Sequence, residues 1–121
     1  MTRINCVPPE ELSRQHLLAE YRELPRVFAL ADKAYSARRK IVAPSSYTLG
    51  AGHVLFFYSR LGWCRRRFHA LRDEMLRRGY KPAYNDTPAV ATPPEWWQDW
   101  EPDAAALALN RQRILERTTA S

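Results

Sequence analysis

The sequence predicts an all-α fold: a small single domain, residues 1–121, of three principal helices with extended loops. Three observations carry that prediction. Two long stretches repeat apolar residues at helical spacing, a third opens on a good N-cap residue, and the connections between them are rich in proline and small polar residues. A chain of 121 residues is large enough for one core that buries about two-thirds of the unfolded surface.

Met1 to Val7 reads as a short, polar, turn-like segment closed by Pro8 and Pro9. Proline at a first helical position, followed by Glu10 and Glu11 at the positive end of the dipole, starts a helix expected to run from about Pro9 to Tyr35. Leu17, Tyr21, Leu24 and Phe28 follow one another at steps of 4, 3 and 4, an apolar stripe that needs a core. Pro25 removes one donor and strains the turn before it. The stripe nevertheless continues to Ala31 and Tyr35, so the expectation is a kink rather than an end.

Ser36 to Tyr47 is a loop carrying Arg38, Arg39 and Lys40. Thr48 to His53 then holds two glycines, which suit either a phosphate cradle or close backbone packing at a helix entrance. No lysine or hydroxyl completes a nucleotide loop, and packing is the commoner use. From His53 the apolar positions Val54, Phe57, Tyr58, Leu61, Cys64, Phe68, Leu71 and Met75 describe a long amphipathic helix to about Arg78. Gly62 is its weak point and Gly79 its stop. Its arginines, Arg65, Arg66, Arg67, Arg72, Arg77 and Arg78, are expected on the outer surface.

Lys81 to Pro102 is irregular, with Trp96, Trp97 and Trp100 either stacking on bases or stapling the segment to the core; the staple is the commoner role. Asp103 caps a last helix from Ala104 to about Arg117. Leu107 and Ile114 are expected to face inward, with Arg113 and Arg117 together on another side.

Charge narrows the function classes. Residues 1–59 carry eight basic and five acidic groups (+3), residues 60–81 eight and two (+6), and residues 82–121 three and six (−3), which gives the net +6. A basic segment of helix length is the footprint expected for a polyanion such as DNA, and is also compatible with an ordinary basic surface. No apolar run approaches about 20 residues, which argues against a membrane span, and the N-terminus lacks a signal-peptide core. The expected location is the cytoplasm, in association with the nucleoid. Cys6 and Cys64 are expected as free thiols, and His16, His53 and His69 show no metal-ligand spacing, so no metal is expected.

At about 100° per residue, Gln15, Arg22 and Arg26 fall almost opposite the apolar stripe, while His16 and Glu23 share one flank. By itself this is a solvated face with a Glu23–Arg26 pair worth a few tenths of a kcal/mol. The stretch is not isolated, however. The opening MTRIN, the run AEYRELPRVF and the later LGAGHV and FFY closely resemble the phage-type endonuclease V family, pyrimidine dimer DNA glycosylases with abasic-site lyase activity. The resemblance covers Met1 to about Tyr80, and the last helix more weakly.

The resemblance implies a nucleophile that is not a side chain but the α-amino group of Thr2, exposed once Met1 is removed. An α-amine has a pKa of about 7.7–8.0 against about 10.4 for lysine, so a useful fraction of it is neutral at physiological pH. It implies that Glu23 is the catalytic carboxylate, and that Arg3, Gln15, His16, Arg22, Arg26 and, more loosely, Arg113 and Arg117 contact DNA. The implied partner is double-stranded damaged DNA, with no membrane, metal or organic cofactor, and the expected state is a monomer. The same imine chemistry on another damaged base or on abasic sites alone, or a non-catalytic basic DNA-binding protein, remain as alternatives. The sequence ends soon after the last helix, where the family's best-known member continues into an aromatic- and lysine-rich tail. The Thr2 and Glu23 chemistry is expected not to depend on that tail, whereas dimer selectivity is.

Overall fold

A computed structural model describes residues 3–119, which are helical apart from turns, loops and one isolated antiparallel bridge between Arg60 and Trp97. The kinked first helix is present as α1 (Arg14–Glu23) and α2 (Pro25–Ser36). Leu24 between them keeps helical backbone angles, φ −54° and ψ −41°, and donates to the Glu20 carbonyl at 2.8 Å, so Pro25 bends the helix without ending it. Leu17, Tyr21, Leu24 and Phe28 are all buried, as their spacing requires.

The expected single helix from His53 to Arg78 is broken. It is a short α3 (His53–Phe57) and a long α4 (Leu61–Arg77), separated by tight turns in which Tyr58 and Arg60 donate to Leu55 and Phe57. The break lets both Phe56 and Phe57 turn inward. It also brings α4 against the connection after Pro93, where a Cβ on Gly62 would sit 2.5 Å from the Trp97 carbonyl oxygen. Gly62 is thus required by close approach. Gly79 stops α4 as expected, at φ +86°, with the Tyr80 amide reaching back to the Met75 carbonyl at 2.8 Å.

The start at Pro9 is also corrected. Pro9–Glu11 is a separate 3-10 turn closed by extended Leu12, and Ser13 caps α1, its hydroxyl accepting the His16 amide at 3.2 Å. The reason lies in α4: Arg78 donates to the carbonyls of Pro9 at 3.3 Å and Leu12 at 2.7 Å, and Leu12 is buried. The last helix, α5 (Ala104–Thr119), is capped by Asp103, whose carboxylate accepts the Ala106 amide at 2.8 Å. Leu107 and Ile114 pack against the core.

α1 and α4 cross at the centre, where Tyr21 stacks on Phe68 with ring centroids 5.0 Å apart. The tryptophans staple the long connection to this core. Trp97 packs on Phe28 at 5.6 Å, Trp96 edge-on to Tyr35 at 5.7 Å, and Trp100 against Phe56 and Trp63, both at 5.1 Å. Cys6 and Cys64 are buried free thiols. No helix of the described residues is long and apolar enough to cross a membrane.

Candidate active site

The residues expected to form a polar turn at the start of the chain are instead core. Ile4, Asn5, Cys6 and Val7 are all buried, in a stretch without helix that runs beside α1, α4 and α5. Backbone in such a place has no ladder to pair with, so side chains must satisfy it. The Ile4 amide donates to His53 Nε2 at 2.8 Å, and the Ile4 carbonyl accepts the Tyr47 hydroxyl at 2.9 Å. The amides of Cys6 and Val7 share Asn110 Oδ1, at 2.7 and 3.1 Å, and the Val7 carbonyl accepts Arg67. Asn5 links the set, donating to Glu20 at 2.8 Å and accepting from Asn110 at 2.8 Å.

Arg67 closes this network with two hydrogen bonds to Glu20, at 2.7 and 3.0 Å, in a pair whose side chains are 5% and 1% exposed. The expectation that Arg67 lies on the outer surface of its helix is therefore overturned. Periodicity marks none of Glu20, Arg67, Asn5, Asn110 and His53, because it sends polar residues outward. Burial of a charge is tolerated only where a partner meets it, and here the partners come from different elements.

This anchored segment forms one wall of a cleft of about 630 Å³. The cleft gathers six of the expected site residues: Arg3, Gln15, His16, Glu23, Arg113 and Arg117. Glu23 Oε2 accepts the Arg3 amide at 3.4 Å, so the carboxylate touches the backbone next to position 2. Thr2 itself lies outside the described residues. Three buried nitrogens in the cleft, Arg3 Nη1, His16 Nδ1 and Arg113 Nε, have no hydrogen-bond partner among the described residues. Burial pushes the Arg3 pKa down, and the charges of Arg117 and Arg113 push it down further. Arginine charges held together with unpartnered guanidinium nitrogens suit an anion, and the carboxylates of Glu20 and Glu23 line the same cleft.

Arg22 and Arg26 are exposed on the outer side of α1 and α2 and do not line the cleft. Neither has a carboxylate partner among the described residues. The arginines of α4 do: Arg65 pairs with Asp86 at 2.8 Å, Arg66 with Asp99 and Arg72 with Asp73, while Arg77 and Arg78 both hold Glu74. Carboxylates of α4 itself, of α1 and of the acidic last third of the chain thus meet the arginines of α4, whereas the loop after α2 carries Arg38, Arg39 and Lys40 with no acidic residue. A second cleft, of about 660 Å³ beside Trp63, Arg66 and Trp100, contains none of the expected residues.

The pattern of the pyrimidine dimer DNA glycosylase family matches residues 1–88. The matched span includes Glu23, the anchored segment and His53, and excludes α5 with Arg113 and Arg117.

Proposed function

The chain belongs to the pyrimidine dimer DNA glycosylase family, and from that premise we propose that it excises the base of a cyclobutane pyrimidine dimer through an imine on the Thr2 amine, then cleaves the strand. The observation that carries the proposal is the Arg3 amide on the Glu23 carboxylate, inside a cleft lined by Arg3, Arg113 and Arg117. Moving the amine's protons needs a carboxylate within hydrogen-bond reach of it, directly or through one water, and the amide that Glu23 accepts belongs to the next residue along the chain.

In this reading the neutral amine adds its lone pair to the sugar C1′, and the bond to the base breaks with its electron pair leaving on the base. Glu23, as an anion, stabilises the positive charge that grows on the sugar. Loss of a proton from nitrogen and opening of the sugar ring give the imine. Removal of a C2′ proton then sends electrons toward the imine and breaks the C3′–oxygen bond, with phosphate as leaving group. Arg3, Arg113 and Arg117, with Gln15 and His16, hold phosphates at the cleft. Arg22 and Arg26 extend the contact along the duplex outside it. Reaching C1′ requires a bent duplex and an extruded nucleotide.

The test is trapping by borohydride, which reduces an imine to a stable amine. Protein is mixed, in chelator, with ultraviolet-irradiated, abasic-site and undamaged duplexes. Covalent adducts on the irradiated and abasic duplexes, mapping to the Thr2 amine, are expected. Adduct on abasic DNA alone reduces the activity to a lyase. Adduct on neither leaves a DNA-binding protein without this chemistry.

A further inference from the structure

The glycine-rich run before α3 has no part in the reaction as written, yet it delivers a buried side chain to the reacting end of the molecule. Gly52 opens α3 at φ +86°, and a Cβ there would come 2.9 Å from the Pro44 side chain, so only glycine allows this entry. The next residue is His53, which is 4% exposed. Its Nδ1 lies 2.7 Å from the Thr48 carbonyl oxygen, an acceptor that can only receive a proton. Nδ1 therefore carries the hydrogen and Nε2 presents a lone pair, which takes the Ile4 amide at 2.8 Å.

Two consecutive amides at the start of the described chain are thus claimed, that of Arg3 by Glu23 and that of Ile4 by His53. The Tyr47 hydroxyl holds the Ile4 carbonyl from another side, and the Tyr47 ring meets that of His53 edge-on at 5.5 Å. We infer that His53, supported by Tyr47, is a positioning residue that sets the reach of the Thr2 amine by fixing the backbone at Ile4. The inference rests on the amine reading proposed above. Burial lowers the His53 pKa, opposed by the Thr48 hydrogen bond, with Arg3 lowering it further and Glu20 raising it, so the ring stays neutral and able to accept. Nucleophilic attack depends steeply on the position of the reacting atom, and a misplacement of about 1 Å costs about 10²-fold.

The test compares two amides at position 53. Glutamine reaches as far as Nε2 and keeps an acceptor for the Ile4 amide; asparagine ends near Nδ1 and keeps only the group facing Thr48. With saturating abasic duplex, the single-turnover rate of borohydride trapping is expected to fall about 10²-fold in His53→Asn. His53→Gln is expected to stay within a few fold of the wild type, and both are expected to bind duplex with unchanged Kd. Tyr47→Phe, which removes only a hydroxyl, is expected to slow trapping as well, again without change in Kd, and covers the case in which His53→Asn fails to fold. Equal losses in the two position-53 variants would indicate packing and overturn the inference. Unchanged trapping in His53→Asn and Tyr47→Phe would overturn it while leaving the amine reading intact. No adduct from the wild-type protein would remove both.

Discussion

Glu20 and Arg67 hold equivalent positions on the two helices that carry them. Each follows one residue of an apolar stripe by three and precedes the next by one: Leu17, Glu20, Tyr21 on α1, and Cys64, Arg67, Phe68 on α4. Both stripes then continue at steps of 3 and 4, through Leu24 and Phe28 and through Leu71 and Met75. Where the helices cross, the two off-stripe charges meet as a buried pair at 2.7 Å. Removing one partner leaves the other buried without its counter-ion, so Glu20→Gln and Arg67→Met are each expected to cost about 3–5 kcal/mol in urea unfolding. The double variant is expected to lose less than the sum of the two, which a double-mutant cycle measures directly.

Glu23→Gln keeps the side chain's shape and removes its charge. Affinity for damaged duplex is expected to stay within a few fold, while single-turnover excision falls about 10²–10³-fold. Equal loss of binding and turnover would assign Glu23 to binding alone.

The pairing of the α4 arginines predicts where salt acts. Replacing Arg22 and Arg26 together by glutamine is expected to reduce the slope of log affinity against log salt by about 0.9 for each phosphate that is no longer neutralised. The same change at Arg65 and Arg66, which hold Asp86 and Asp99, is expected to leave the slope unchanged. Filter binding or fluorescence anisotropy from low to moderate salt separates the two.

Acid stability is expected to depend on Glu74. The hydrogen bonds from Arg77 and Arg78 hold its carboxyl down at about 2, below its ordinary 4.5. Between those values the unfolded chain binds the proton and the folded one does not. The stabilisation is therefore complete above about pH 4.5 and is lost as pH falls toward 2. Urea midpoints of the wild type and Glu74→Gln should differ near neutrality and converge in acid.

Much of this fold was legible from periodicity and end signals. The stripe from Leu17 to Phe28, the kink at Pro25, the cap at Asp103 and the stop at Gly79 all follow from local chemistry. The break at Tyr58–Arg60 was not, because both halves keep helical spacing and only packing against the connection around Trp97 decides against continuity. The cleft was half legible. His16 and Glu23 share a helix flank, which spacing shows; their meeting with Arg113 and Arg117 is a tertiary fact. The network around Asn5 was hidden because each of its polar groups, taken alone, reads as surface. The matching places of Glu20 and Arg67 beside their stripes are the one local sign of it.

The anchoring of residues 4–7 also sets an order of events during synthesis. Ile4 waits for His53, 49 residues later, and Cys6 for Asn110, 104 residues later. The amides of Cys6 and Val7 thus meet their partner only after most of the chain has followed, and contacts so distant in sequence are slow to close. Until then Cys6 and Val7 lack the side chain that both of their amides share in the fold.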